Sequence, residues 1–170
     1  MEYSLFQEKI DVSKAAEEES NFELSLQNYD QLLTYSLTTE QQTILAVGRA
    51  TCYLRMQAPE SALLCLESAD LENIDPSAGA YFQAVLSQSF HDVQRFSDAL
   101  KAATRGEAYA RVAGESASDI LGENIARQGF SLIEMGLRDE GRSQLDRALE
   151  YPLEQSVLNS VKAYRRIYSN

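Results

Sequence analysis

A recurring pair of core-type residues constrains the fold of this chain more than any other feature of its sequence. In each pair a small residue is followed four positions later by a bulky residue or, in one case, by alanine. The pairs are Ser25 with Tyr29, Ala62 with Leu66, Ala99 with Ala103, and Gly141 with Leu145. Successive pairs begin 37, 37 and 42 residues apart. A period of this length in a chain with helical patterning is typical of stacked helical hairpins, so the sequence predicts an all-α fold.

The helical pattern divides the chain into four hairpins and one last helix, with no convincing strand. The predicted hairpins cover residues 4–36, 39–72, 76–113 and 116–150, and the last helix covers 153–168. The length of 170 residues fits a single domain over 1–170. One hairpin cannot bury its apolar face alone, so neighbouring hairpins are expected to stack on it.

Local signals predict where several helices begin and end. Thr39 with Gln42 has the spacing of a capping box, and Asp75 followed by Pro76 marks another helix start. The remaining signals are an N-cap at Ser20 or Asn21, a stop at Gly114, a turn at Gly136 and a helix start at Pro152.

The charge of the chain is acidic and unevenly distributed. The formal net charge is −11, and residues 1–75 hold 14 acids and 4 bases, against 12 acids and 11 bases in residues 76–170. Nucleic-acid binding normally needs a basic face, so no nucleic-acid partner is expected. The acidic first half could steer a basic partner; alternatively, these acids only keep helix faces soluble.

Cysteine usage and hydropathy predict a cytoplasmic protein without a membrane partner. Cys52 and Cys65 form no CxxC motif and are expected to be small core residues rather than metal ligands or a disulfide. No apolar run approaches the ~20 residues that span a bilayer. The N-terminus lacks the basic start and apolar region of a signal peptide.

The repeated positions follow a known pattern. The last hairpin carries it most clearly, at Ile125, Gly129, Leu132, Gly136, Gly141, Leu145, Ala148 and Pro152. Further matches are Ala46, Ala50, Tyr53, Ala62, Leu66 and Ala69, then Leu86, Ser87, Phe90, Phe96 and Ala99, and, in the degenerate first hairpin, Val12, Ser13, Phe22, Ser25, Tyr29 and Leu32. Together they span roughly residues 4–152 and resemble the tetratricopeptide repeat (TPR) family. The chain departs from the common form because it has no Trp and because its period exceeds the usual 34 residues. Longer periods resemble the TPR relatives in kinesin light chains and in bacterial peptide-receptor regulators.

The TPR resemblance implies a right-handed solenoid of about four helical hairpins with a C-terminal capping helix. It also implies a concave groove, lined by the first helix of each hairpin, that binds a peptide or protein segment. The candidate groove residues are Lys14, Val47, Thr51, Arg55, Tyr81, Gln88, Glu123, Arg127 and Phe130. The set of Lys, Asn and Arg side chains with which some TPR domains hold a peptide carboxylate is missing.

The groove residues predict a mixed ligand. An apolar anchor would lie against Tyr81 and Phe130, and an acidic group would lie near Arg55 or Arg127, since aromatic and Arg side chains are frequent interface anchors. The alternative is that the two rings pack between hairpins and the arginines pair with nearby acids.

No residue pattern indicates an enzyme, a cofactor or a metal site. The only histidine, His91, has no Cys or second His beside it and is expected to be a surface residue at a helix C-terminus. Gly-rich phosphate loops and Ser-His-Asp or Cys-His constellations are not found.

The last helix is predicted to cap the repeats. Val157, Val161, Tyr164 and Tyr168 fall on one face of it, and solenoids need such a cap over their last repeat. The alternative is a homodimer contact through the same tyrosines, although a monomer is favoured.

Three functions remain open at this point. The first is an adaptor or chaperone that binds a protein segment in the groove. The second is an acidic regulatory or inhibitory protein that masks a basic partner, and the third is a structural subunit of a larger complex.

Overall fold

A computed structural model describes residues 2–67, 69 and 71–168 of the chain. This part contains nine α-helices, one short 3-10 turn and no strand, which confirms the all-α prediction. The helices are α1 Tyr3–Glu18, α2 Phe22–Leu32, α3 Thr39–Arg55, α4 Pro59–Glu67, α5 Pro76–Asp92, α6 Phe96–Ala113, α7 Ser118–Glu134, α8 Arg138–Ala148 and α9 Gln155–Ile167. The 3-10 turn covers Gly114–Ala117.

The chain divides into two compact units, Met1–Ile74 and Asp75–Asn170. The second unit begins where the Asp75-Pro76 signal predicted a helix start. The Asp75 side chain accepts a hydrogen bond from the amide of Ala78 at 3.1 Å, and Pro76 occupies the first turn of α5.

Several predicted helix ends differ from the observed ones. α2 ends at Leu32 rather than at 36, because the next three amides, of residues 33–35, bond to carbonyls only three residues earlier, which tightens the helix end. The capping box forms one residue earlier than predicted, between Thr38 and Gln41. Both threonines of this segment have a glutamine three residues later, so spacing alone could not choose between them.

Two further helices, α7 and α9, begin later than predicted, and the predicted end of α4 falls partly on residues that the structure does not describe. α7 begins at Ser118 instead of 116 because the chain first makes the 3-10 turn, and α9 begins at Gln155 instead of 153. The predicted end of α4 near residue 71 involves positions 68 and 70, which lie outside the described residues. Asn21 is the N-cap of α2, as one of the two predicted options, since its side chain accepts from the amide of Leu24 at 3.2 Å.

All four hairpin turns share one backbone geometry. Each contains a single residue in the left-handed region: Ser20 at φ 59°, Gln57 at φ 58°, Gln94 at φ 60° and Gly136 at φ 86°. The following amide bonds to a carbonyl five residues earlier: Asn21 to Ala16 (2.8 Å), Ala58 to Tyr53 (2.9 Å), Arg95 to Phe90 (2.8 Å) and Leu137 to Leu132 (2.9 Å). These are the bonds of a Schellman motif, which satisfies the last carbonyls of a helix. The left-handed residues follow the same 37, 37 and 42 residue steps as the sequence period.

Small residues lie twelve positions apart across each turn, and all of them are buried. The pairs are Ser13 with Ser25, Ala50 with Ala62, Ser87 with Ala99, and Gly129 with Gly141. In the second unit, the Ser87 hydroxyl donates to the Ala99 carbonyl at 2.9 Å. A Cβ on Gly141 would lie 2.8 Å from the Gly129 carbonyl oxygen. The two helices of these hairpins therefore approach each other closely only because these positions carry small side chains.

The core of the first unit contains a polar contact among apolar side chains. Phe6, Ile10, Tyr29, Leu32, Leu45 and Cys52 form its apolar cluster. The Tyr29 hydroxyl donates to the Glu17 carboxylate at 2.6 Å, and the Ser25 hydroxyl donates to the same oxygen at 3.2 Å. Burial, with Glu17 close by, raises the pKa of Tyr29, so its hydroxyl stays protonated and remains a donor.

The core of the second unit joins α5 to α9. Its cluster includes Ala84, Ile125, Leu145, Val157 and Val161, with Tyr164 and Tyr168 packed against it. Val161 is fully buried and Val157 is 9% exposed. The face of α9 that the sequence predicted as a cap thus packs on this core.

Candidate protein-binding surface

The predicted groove residues of the first unit differ in accessibility. Lys14 on α1 and Arg55 in the last turn of α3 are exposed. Thr51 is half-buried, and its hydroxyl donates to the carbonyl of Val47 at 2.9 Å. Val47 is only 7% exposed, so its side chain offers little surface to a partner. We therefore correct the role of Val47 from groove lining to core packing.

In the second unit, three predicted groove residues meet on α5 and α7. Arg127 donates to the Glu123 carboxylate through Nε at 2.9 Å and also through Nη2, and its Nη1 donates to the side-chain oxygen of Gln88. Only 14% of the Arg127 side chain and 18% of the Glu123 side chain are exposed. The guanidinium is therefore already neutralised by a partner within α7, and it is a poor receptor for an acidic ligand.

The same network continues to the end of α5. The Gln88 amide donates to Asp92 at 2.6 Å, and His91 Nδ1 lies 3.8 Å from the same carboxylate. Partial burial raises the pKa of Asp92, but the nearby His91 ring and the hydrogen bond from Gln88 outweigh it, so this pKa lies below its ordinary value. Asp92 is thus held as a carboxylate.

His91 is more enclosed than the sequence predicted. Only 23% of its side chain is exposed, and its ring meets the edge of Phe96 with centroids 5.2 Å apart. The residue does lie in the last turn of α5. Its predicted position at the helix C-terminus is confirmed, and its side chain is partly exposed there.

Aromatic contacts connect this network to α9. Phe130 is 9% exposed and belongs to the core of the second unit, and its ring lies 4.7 Å from that of Tyr164. The Tyr164 hydroxyl donates to the Glu134 carboxylate at 2.8 Å. Burial, together with this bond, raises the pKa of Tyr164. Phe130 therefore stabilises the packing of α7 on α9 instead of lining an open groove.

Tyr81 is the exposed aromatic residue of this surface. It lies seven residues before Gln88 on α5, so both side chains fall on one helix face, and it is 48% exposed. We call the surface formed by Tyr81, Gln88, Asp92, Glu123, Arg127, Glu134 and Tyr164 the α5–α7–α9 face. It carries three carboxylates and one guanidinium, so its local charge is acidic.

Three members of this face were not among the predicted groove residues. Asp92 belongs to it because it accepts a hydrogen bond from Gln88. Glu134 and Tyr164 belong to it through the hydrogen bond that Tyr164 donates to Glu134. A partial signal existed, because Asp92 follows Gln88 at helical spacing. The contact between Tyr164 and Glu134 joins two helices 30 residues apart and had no local signal.

A second ion-pair cluster in this unit joins α6, α7 and α8. The Glu107 carboxylate accepts from Gln128 at 2.6 Å, from Arg147 at 2.7 Å and from Arg111 at 2.7 Å. Its side chain is 14% exposed. Burial raises the pKa of Glu107, but these donors outweigh it and leave the pKa below its ordinary value. The Glu107 carboxylate therefore joins α6, α7 and α8 through its three donors.

The described part of the chain offers few groups suited to catalysis or metal binding. No group of three or more His, Cys, Asp or Glu side chains among these residues could hold a metal ion. Burial raises the pKa of the Cys52 thiol to about 12, so this thiol stays protonated and is a poor nucleophile. Cys52 and Cys65 are both buried, as the sequence predicted. None of the helices in this part is long and apolar enough to cross a membrane.

Comparison with known proteins identified no relative: no family model, no curated protein and no solved structure matches this chain. The resemblance to the TPR family therefore depends on the residues and hairpins described above.

Proposed function

We propose that this chain is a non-enzymatic protein-interaction module built from TPR-like hairpins, and that it binds a protein segment on the first helices of those hairpins. A right-handed solenoid with α9 as its capping helix is part of this proposal. Support comes from the four equivalent turns and from the buried small pairs twelve residues apart, because these features recur in every hairpin. Repeats of this kind commonly present an extended binding surface.

The chemistry of the α5–α7–α9 face favours a basic segment over an acidic one. Arg127, once a candidate for an acidic ligand, already pairs with Glu123 and Gln88. Asp92 and Glu134 are exposed carboxylates of the same face. Tyr81 lies eleven residues before Asp92 on α5, about 16 Å along the helix. A bound segment that follows the helix would therefore place a Lys or Arg at the carboxylates and a separate apolar group on the tyrosine ring. The proposed ligand therefore carries Lys or Arg near an apolar anchor.

The observation that carries this proposal is the connected set from Gln88 and Asp92 on α5 through Arg127 and Glu123 on α7. Hydrogen bonds between side chains fix the orientation of these groups before a ligand arrives, which lowers the entropy cost of binding.

The proposed localisation is the cytoplasm.

The test is selection of a displayed random dodecapeptide library on the immobilised protein. We expect the enriched peptides to carry Lys or Arg beside apolar residues, and to bind the Tyr81→Ala and Asp92→Arg variants at least about tenfold more weakly, the loss typical of an interface anchor. Tyr35→Ala is the matched control, because Tyr35 is 45% exposed, close to Tyr81, but lies in the first unit. Enrichment of acidic peptides, or equal binding by the Tyr81 and Tyr35 variants, would contradict the proposal.

The first unit favours a second candidate function. It contains 13 acids and 4 bases in residues 1–74, which suits an acidic protein that masks a basic partner. The Asp92→Arg variant and the salt concentration distinguish the two functions. If the first unit masks a basic partner, binding should be unchanged in Asp92→Arg but should weaken steeply as the salt concentration rises.

A further inference from the structure

The last helix repeats the pattern of α7 thirty-four residues later. The equivalent pairs are Gly122 with Ser156, Ala126 with Ser160, Gly129 with Ala163, Phe130 with Tyr164, and Ile133 with Ile167. Phe130 and Tyr164 both pack on the core of the second unit. α9 therefore corresponds to the first helix of a further hairpin.

The two helices differ in what covers the remaining equivalent positions. In α7, Gly129 and Ile133 lie against Gly141 and Leu145 of α8, and all of these are buried. In α9, Ser156, Ser160 and Ala163 are exposed, and Ile167 is 62% exposed. We call these four residues the α9 stripe. Its residues Ala163 and Ile167 correspond to Gly129 and Ile133, which contact α8, whereas Gly122, the counterpart of Ser156, meets residues 151–153. No described helix covers the α9 stripe.

The charge around the α9 stripe selects for an acidic occupant. α9 contains Lys162, Arg165 and Arg166 and no acid. Arg165 bonds to Asp146 at 2.9 Å, whereas Lys162 and Arg166 are exposed and four residues apart. Like charges at this spacing repel each other, so a negatively charged partner would reduce the repulsion between Lys162 and Arg166.

α1 carries a complementary exposed face. Leu5, Glu8, Val12, Ala15 and Glu19 follow one another at steps of 3, 4, 3 and 4 residues, and all are exposed. Leu5 is 42% and Val12 is 55% exposed. We call these residues the α1 stripe. Steps of three and four place them along one line of the helix, as in helices that pack against a partner helix.

We propose that the α9 stripe of one copy of this chain binds the α1 stripe of a second copy. Leu5 and Val12 fill the space left by the small side chains of Ser156, Ser160 and Ala163. Ile167 finds a small counterpart in Ala15. Glu8 and Glu19 pair with Lys162 and Arg166. The contact joins two different surfaces, so every copy keeps one free surface of each kind for further association.

The experiment is sedimentation velocity of the full chain from low micromolar to submillimolar concentration, at about 0.05 M and about 0.5 M salt. We expect the average mass to rise above that of the monomer with concentration, and less so at high salt. Glu8→Lys/Glu19→Lys and, separately, Lys162→Glu/Arg166→Glu should each weaken self-association at least about tenfold. An equimolar mixture of the two variants should associate again, because the basic α1 of one then meets the acidic α9 of the other.

The matched control for Glu8→Lys/Glu19→Lys is Glu60→Lys/Glu67→Lys on α4, which makes the same change in net charge at exposed positions outside both stripes. This control should associate like the unmodified chain. The proposal is overturned if the unmodified chain stays monomeric at the highest concentration and low salt. It is equally overturned if the control loses association as much as the stripe variants, or if the two stripe variants fail to associate when mixed. Circular dichroism of each variant establishes that it is folded.

Discussion

Replacement of Gly106 by alanine tests how closely α6 and α7 must approach each other. A Cβ built on Gly106 would lie 2.0 Å from the side-chain oxygen of Asn124, about 1.4 Å short of the 3.4 Å at which ordinary contact begins. Asn124 is fully buried, and its side-chain nitrogen donates to the carbonyls of Ala80 at 3.2 Å and Ile120 at 2.9 Å. The amide must therefore leave both acceptors, or the helices must separate.

The magnitude of the effect combines three contributions. Loss of two buried hydrogen bonds costs about 2–3 kcal/mol, and overpacking adds about 1–3 kcal/mol. Alanine in place of glycine within a helix offsets about 1 kcal/mol. We expect Gly106→Ala to lower the free energy of unfolding of the second unit by about 3 kcal/mol.

Urea denaturation followed by circular dichroism measures this change. Gly136→Ala is the control: its Cβ would meet nothing within 4 Å, and only the positive φ of 86° opposes it, so it should cost about 1 kcal/mol. The double variant Gly106→Ala/Asn124→Ala removes the obstructing amide, and its loss should be at least about 1 kcal/mol smaller than the sum of the single losses. A Gly106→Ala protein as stable as the unmodified chain, or strictly additive losses, would refute the argument.

Two further changes test the turns and the Glu107 cluster. Gln94→Gly should raise the free energy of unfolding by about 1 kcal/mol, because Gln94 adopts φ 60° and glycine removes the Cβ strain of that region. The control Gln94→Ala keeps a Cβ and should give no such gain. A stabilising Gln94→Ala would contradict the explanation. Glu107→Gln should lower stability by about 2 kcal/mol at neutral pH, because Arg147 and Arg111 lose their anion. Because the folded-state pKa of Glu107 is depressed, its contribution is present at neutral pH and is lost as the pH falls below about 4.5. The difference between the two proteins in thermal melts should therefore shrink in acid, and a constant difference would count against this role.

Much of the helical framework could be predicted because each signal is local. The eight recurring small and bulky residues from Ser25 to Leu145 are all buried, since a helix contact needs those sizes at that spacing. Asp75 and Pro76 mark a helix start through interactions within four residues. Gly136 marked its turn because only glycine enters the left-handed region without strain.

The other three turns could not be recognised in the same way. Ser20, Gln57 and Gln94 adopt the left-handed conformation without being glycine or asparagine. Their conformation is imposed by the hairpin, because the helices on both sides pack through their small residues and the chain has one way to connect them.

The candidate surface was predictable only in part. Glu123 and Arg127 are four residues apart on one helix, so their pairing belonged to the alternatives that the sequence left open. The bond from Arg127 to Gln88 joins residues 39 apart, and it exists only because α5 and α7 pack side by side. The TPR resemblance placed Phe130 and Val47 in the candidate groove, but position in a repeat could not tell a groove from a covered core.

The longer third step of the repeat explains why the second unit holds its helices through polar contacts. α6 has 18 residues, against 11 in α2 and in α8, so the additional residues between Ala99 and Gly141 extend α6. Counted from Phe96, the extension begins after Gly106, at Glu107, which bonds to Gln128 and Arg147. Shortening α6 to the length of α2 would remove the Glu107 carboxylate, which joins α7 and α8. Arg147 would then lose its anionic partner. The lengthened period is therefore a structural part of the second unit rather than a degenerate repeat.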